Sequence, residues 1–491
     1  MSPMSIGPSL IIVFQLYLLF TVVVLLLDNR TPSETFAWIL IFILMPGLGL
    51  GLYLMFGRNW KRSYNHKIKL PQSIAKELSD LFKPLVARQA ETLSQMKNKT
   101  SIYQDDLMTL LYQSSNALLT TGNKAEIFHN GKDKFDRLKQ DLQNAKAYIH
   151  MEYFIWCSRD KLGQEIKDIL IAKAKEGVEV RILYDYSGCF FTLSQKYINE
   201  LRANKVQIYP FFNYLSNFKM HTLNYRNHRK IVSIDGKIGY TGGLNVGQEY
   251  IDGGKRYSSW RDTHIRLEGQ SVSVLQAIFA VDWYNTVEKT DILDAKYFPL
   301  LTDNKSVDGN LSVQLTTSGF DSPWPSILQL YFTLITMAQR NIYIVSPYFV
   351  PDETLLMALK TAAMRGVKVA IMTTGVADNP VPYWAAFSYF EDLLKAGVRI
   401  FQYEKGFMHA KIYSSDGKVC SIGSANFDIR SLKLNYEINT VFYDETLAQQ
   451  VDSQIMEDLK HCKEVLAADL KQSSLLARLR NSLVRLISGI L

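Results

Sequence analysis

Two histidines, His228 and His409, each open an eighteen-residue block of the same pattern, H-x-K-x4-D-x6-G-x2-N. The blocks, 228–245 and 409–426, are identical at nine of eighteen positions without a gap, where chance leaves about one. In an alternating strand, residues two apart share a face, so each His lies beside its Lys, Lys230 or Lys411. An imidazole with a pKa near neutrality serves as nucleophile or general acid, and two imidazoles can divide those roles. The lysines, with Asn245, Asn426 and Ser424, supply the charge and donors that a phosphoryl group needs as its oxygens gain charge. Each block has a single Asp, Asp235 or Asp416, so no carboxylate cluster calls for a divalent metal. The reading is phosphoryl transfer through a phosphohistidine, with neither metal nor cofactor.

A histidine nucleophile needs its second nitrogen held by an acceptor. Asp262 and Glu437 are the candidates, each about thirty residues past the histidine of its own block and each opening a strand-like run. Asp235 and Asp416 count among the catalytic candidates, but each precedes a glycine. A turn residue that also forms a salt bridge is therefore the preferred account of them, ahead of direct proton transfer. His66, His129, His150, His221, His264 and His461 have no such partner pattern and default to structural positions.

The elements that must position these residues recur as well. Strand-like runs at 147–155, 177–185 and 205–211 are echoed at 341–350, 366–374 and 397–403, with helix-like stretches at 162–175 and 353–364 between them. Such alternation predicts α/β architecture, a tandem pair of domains over 121–300 and 301–470 that share one bilobed site. The first half carries about eleven extra residues before its block, within 212–227, which reads equally as a lipid entrance or a surface loop.

The ends of the chain look different. Residues 10–27 carry no charge and 36–56 none, and each approaches the length that crosses about 30 Å of hydrocarbon, which predicts a transmembrane hairpin over 1–60. Arg58, Lys61, Arg62, Lys67 and Lys69 then place the rest of the chain in the cytoplasm by the positive-inside rule. Residues 61–120 read as a polar, helical linker, and 471–491 as an amphipathic interfacial helix in which arginines are the only charges from Ser473 on. The alternative for that last helix is packing on the protein body. A formal charge of +8 suits an anionic partner without choosing one, and four scattered cysteines give no zinc spacing.

The two blocks resemble the HKD signature of the phospholipase D superfamily. Residues 29–59, NHRKIVSIDG and GSANFDIRSLKLNYEIN are similar to bacterial cardiolipin synthases of the two-span type. That resemblance implies phospholipase D-like α-β-α domains and a reaction in which two phosphatidylglycerols give cardiolipin and glycerol. It also implies His228 as the nucleophile and His409 as the acid/base, a symmetry the residues themselves leave unbroken. Phosphatidylglycerol and anionic membrane lipids are the implied partners of a membrane-embedded, multi-pass chain of the bacterial cell membrane, with no nucleic acid. The rival readings are a phospholipase D-type hydrolase, another transphosphatidylase, and a nuclease, which has no need of a hairpin. One departure stands out: Gly242-Gly243 replaces the usual Gly-Ser, so only Ser424 offers a hydroxyl there.

Overall fold

The structure is a computed structural model that describes residues 6–28, 32–57, 72–97, 102–212, 224–302, 308–471 and 474–487. The chain forms two units, one made of residues 1–69 with 213–225, the other of all the rest. In the first unit, helix α1 (Ile6–Leu27) is followed by α2 (Pro32–Leu44) and a short α3 (Leu48–Leu52) that runs into a π-helical turn. Pro46 and Gly47, the latter at φ 79°, separate α2 from α3, so the second apolar run is not one helix. The thirteen residues of α2 rise about 20 Å, short of a hydrocarbon core of about 30 Å. Among the described residues no helix is long and apolar enough to cross a membrane. This corrects the expected hairpin over 10–27 and 36–56, and the membrane-embedded, multi-pass, cytoplasm-facing placement drawn from it. The cations from Arg58 to Lys69 lie outside the described residues.

In the second unit, α4 (Gln72–Lys97) and α5 (Ile102–Ser115) occupy the stretch read as a linker. Leu107, Met108 and Leu111 of α5 are fully buried in the core of the C-terminal lobe, so this helix belongs to the second lobe although the first lobe follows it in the chain.

The repeat in the sequence becomes a mirrored order of strands. The first lobe holds β1 (Leu119–Asn130), β2 (Tyr148–Tyr153), β3 (Glu179–Asp185), β4 (Gln207–Phe211), β5 (Ile231–Ile234), β6 (Ile238–Gly242) and β7 (Trp260–Glu268). The second holds β8 (Leu311–Ser318), β9 (Asn341–Val345), β10 (Lys368–Thr374), β11 (Arg399–Tyr403), β12 (Phe407–Met408), β13 (Ile412–Ser415), β14 (Val419–Gly423), β15 (Glu437–Phe442) and β16 (Cys462–Glu464). All sixteen join one sheet in the order β16-β11-β10-β9-β13-β14-β15-β8-β1-β7-β6-β5-β2-β3-β4, with β12 beside β7. Read outward from the antiparallel β8–β1 pair, the two halves match strand for strand except at the edge, where the second lobe adds β16. The parallel trios β2-β3-β4 and β9-β10-β11 need crossover helices, which the chain supplies as helix-favouring stretches with capped starts. Asp160 and Asp352 accept the N–H groups of Gly163 and Leu355 to start two of them.

Each block folds as a hairpin, β5–β6 or β13–β14. Its turn is Asp-Gly with both residues in the left-handed region: φ 53° and 63° at Asp235-Gly236, 56° and 64° at Asp416-Gly417. Lys237 N–H donating to Ile234 O and Lys418 N–H to Ser415 O (both 3.0 Å) close these turns, each within a three-residue hairpin loop. The C-terminal helix α6 (Leu475–Ile487) lies on α-helical residues Pro380–Lys395, with the Arg480 and Arg485 guanidiniums 4.3 Å and 4.7 Å from the Trp384 and Tyr389 rings. Its leucines at 475, 476, 479 and 483 face outward.

Candidate active site

The site forms where the backbone just ahead of each block bonds to the other lobe. Just before β5, His228 N–H donates to Tyr436 O (2.9 Å) and Tyr436 N–H donates to Arg226 O (2.8 Å). Just before β13, strand β12 pairs in parallel with the start of β7, and His409 N–H donates to Arg261 O (2.7 Å). Each histidine is thus laid against the strand that carries the other lobe's carboxylate.

His228 Nδ1 lies 3.0 Å from Glu437 Oε2, and His409 Nδ1 lies 2.6 Å from Asp262 Oδ2. Both orienting carboxylates come together with the histidines, but in crossed pairs rather than with the histidine of their own block. An ionised carboxylate only accepts, so Nδ1 carries the proton in both rings and Nε2 is left bare. Burial raises the carboxyl pKa values, but the facing imidazole and lysines outweigh it and hold both Asp262 and Glu437 below the usual range. Burial lowers His228 to about 4 despite Glu437, and it lowers His409 too, helped by Lys411. Near neutral pH both imidazoles are uncharged, as a nucleophile requires.

Lys230 and Lys411 are buried, and each Nζ donates to the main-chain oxygen of its own histidine. Burial takes Lys230 down to about 7 and Lys411 to about 8, and each is in electrostatic reach of both orienting carboxylates. An arriving phosphodiester anion would restore the charge that burial penalises. The two rings are almost closed off from solvent. Phe154 packs edge-on against His228 (centroids 4.9 Å apart), while Trp260 and Phe407 lie 5.3 Å and 5.7 Å from His409.

The remaining candidates fall in different places. Asn245 Oδ1 accepts Ile155 N–H (3.1 Å), whereas buried Asn426 Oδ1 has no partner among the described residues. Ser424 was expected to face the phosphate. Its hydroxyl instead donates to Glu437 Oε2 and accepts Ile438 N–H (3.0 Å), which makes it a support of the His228–Glu437 pair. Its counterpart Gly243 packs so tightly that an added Cβ would stand 2.0 Å from Asp262 Oδ1.

Asp235 and Asp416 are not brought to the histidines. They sit at the hairpin turns, a strand's length away, and each accepts three main-chain N–H groups at the start of the neighbouring strand. Asp235 takes those of Lys146, Ala147 and Tyr148 (2.8–2.9 Å); Asp416 takes those of Gln339, Arg340 and Asn341 (2.7–3.0 Å). At both turns the partners are peptide groups rather than a side-chain cation. Of the insert, residues 213–223, with His221, lie outside the described residues. Reading the sequence missed Asn227, whose amide nitrogen donates to buried Glu152, and the arginines Arg229 and Arg261; no spacing marks them.

The family described as "Cardiolipin synthase, PLD-like domain" matches residues 138–283 and 331–459, and "Phospholipase_D-nuclease N-terminal" matches 13–58. The chain is 38% identical to the major cardiolipin synthase ClsA of Bacillus subtilis over 99% of its own length and 100% of that protein's. It is 39% identical to a cardiolipin synthase of a Geobacillus species, covering 98% of this chain and 94% of the relative. Among solved structures, phosphatidylserine synthase of Haemophilus influenzae superposes with a TM-score of 0.60 at 16% identity, covering 79% of this chain and all of the other; this likeness concerns the fold alone.

Proposed function

From the premise that the chain belongs to the phospholipase D-like cardiolipin synthase family, we propose how its site works. The protein is a phosphatidyltransferase that makes cardiolipin by phospholipase D-type transfer. Phosphatidylglycerol is both donor and acceptor. His409 takes up a proton at Nε2 as the phosphodiester anion binds beside it; His228 Nε2 then attacks the phosphorus of one molecule, the P–O bond to glycerol breaks, and His409 gives the departing oxygen that proton. The phosphatidyl group is then on His228. His409, now neutral, takes the proton of a hydroxyl on the second phosphatidylglycerol, whose oxygen attacks phosphorus and frees His228.

The observation that carries this reading is the pair of crossed His–carboxylate contacts, 3.0 Å and 2.6 Å, with two buried lysines in electrostatic reach of both carboxylates. Lys230 and Lys411 offset the charge that gathers on the non-bridging oxygens. The near-closed aromatic walls favour transfer over hydrolysis, because a phosphohistidine kept from bulk water survives until a lipid hydroxyl arrives. The test is a product assay: purified protein in detergent with labelled phosphatidylglycerol and a chelator. Cardiolipin with free glycerol is expected; phosphatidic acid as sole product would mean a hydrolase. For the roles of the histidines, His409→Ala should accumulate a labelled phosphatidyl adduct and His228→Ala should not; the reverse pattern would exchange them.

A further inference from the structure

Behind each His–carboxylate pair lies a buried arginine. Arg229 Nε donates to the main-chain oxygen of Glu437 (3.3 Å), its guanidinium also pairs with Asp282, and it lies 5.0 Å from the Tyr436 ring. Arg261 donates to the main-chain oxygen of Asp262 (2.6 Å) and to Thr263 Oγ1 (2.8 Å). Its other nitrogens grip both carboxylate oxygens of Asp458, at 3.2, 3.0 and 2.7 Å.

The two arginines do not occupy equivalent positions. Arg229 is the variable residue of its H-x-K segment, where the other block has Ala410. Arg261 precedes its carboxylate, where the other lobe has Tyr436. From different strands they reach the same arrangement: a helix carboxylate on one side, and on the other the peptide oxygen of the residue that holds a catalytic histidine. A buried ion pair seldom repays its desolvation as stability, so one arrangement built twice from unrelated positions points to geometry as its purpose. The Arg261–Asp458 pair also bridges the lobes, and Arg261 presents the carbonyl on which His409 N–H rests.

We propose that Arg229 and Arg261 are positioning residues for the transfer, each setting one His–carboxylate pair independently of the other. Arg229 governs attack by His228. Arg261 governs proton delivery and removal by His409. The proposal rests on the phosphatidyl-transfer reading and on the assignment of His228 as nucleophile.

The test compares phosphatidylglycerol with a phosphatidyl p-nitrophenyl ester, whose leaving group departs without a proton. Arg261→Lys keeps the charge but cannot span Asp458 and the Asp262 carbonyl; Arg261→Met with Asp458→Asn removes both charges with little change of volume, should the first variant fold poorly. Both should lower kcat on phosphatidylglycerol by about ten- to hundred-fold at unchanged KM, the range set by supporting groups at metal sites. Release of p-nitrophenolate in the first turnover should stay within about two-fold of the parent, a tolerance small beside that loss. Arg229→Lys should slow both substrates alike. Equal loss on both substrates in the Arg261 variants, or no loss in a folded variant, would overturn the proposal. Should the parent protein release p-nitrophenolate but make no cardiolipin, the transfer reading fails, while the contrast between the arginines still decides the proposal.

Discussion

Gly243 and Asp262 fit one another so closely that the shorter acid requires the missing side chain: a Cβ on Gly243 would stand 2.0 Å from Asp262 Oδ1. In the other lobe Ser424 faces the longer Glu437 and donates its hydroxyl to it. The two pairs are alternative solutions, Gly with Asp and Ser with Glu. Gly243→Ser, which merely copies the second block, should therefore displace Asp262 and cost about a hundred-fold or more in kcat, the scale of a misplacement near 1 Å. Adding Asp262→Glu should recover part of that loss. A single Gly243→Ser protein with full activity in the cardiolipin assay would refute the fit.

The crossed carboxylates fix which imidazole nitrogen carries the proton. Glu437→Gln and Asp262→Asn keep shape but can present an N–H to Nδ1 and so favour the wrong tautomer. Loss of about 10⁴ in kcat is the benchmark for such a change in a serine-protease triad. Steady-state kinetics should show a fall approaching that size, with KM little changed. Ser424→Ala removes a neutral donor from Glu437, worth about 1 kcal/mol, together with the acceptor of Ile438 N–H, and should cost no more than about ten-fold in kcat.

The depressed lysines predict a pH signature for anion binding. In the empty site Lys230 loses its proton near pH 7 and Lys411 near 8. A phosphate mimic such as tungstate should bind most tightly below pH 7 and progressively less well above it. Calorimetry at pH 8 in buffers of different ionisation enthalpy should record proton uptake on binding. Uptake absent at pH 8 would contradict the depressed values.

His228 gives a separate effect on stability. Its pKa is about 4 in the folded chain against 6.5 for an unperturbed imidazole, so between those limits the unfolded chain binds more protons. This contribution to stability is complete above pH 6.5 and is lost as pH falls towards 4. Urea midpoints should decline over that window, and more gently in His228→Phe. Identical slopes would exclude the histidine as the cause.

Asp235 and Asp416 should matter to folding rather than to turnover. Each accepts three main-chain N–H groups, so Asp235→Ala removes three charge-assisted hydrogen bonds, two of them exposed to solvent, and should cost about 1–3 kcal/mol. Thermal melting should report the loss, while kcat per folded molecule stays near the parent value.

Much of this was legible because the chain states its plan twice. The duplicated H-x-K blocks, their matched strands and the Asp-Gly turns derive from local pattern, and local pattern survives into the fold. The pairing of His228 with Glu437, 209 residues away, does not, because spacing alone cannot tell a strand's own acid from its twin's. Arg229 and Arg261 were invisible for a related reason: they occupy non-equivalent positions, so the repeat conceals them. The N-terminal apolar runs misled through composition, since a count of uncharged residues overlooks the break that Pro46 and Gly47 make in the second run.

The antiparallel seam between β8 and β1 has a consequence for ancestry. Two identical chains that meet edge to edge about a twofold axis must pair antiparallel, and this is how the lobes meet. Neither lobe holds a complete His–carboxylate pair, so a half-length forebear with one block would have been inert alone and competent only as a symmetric dimer. Fusion of the two copies freed each from the other's constraints. Gly243 beside Asp262 in one half and Ser424 beside Glu437 in the other are then the divergence that a dimer of identical chains could never have acquired.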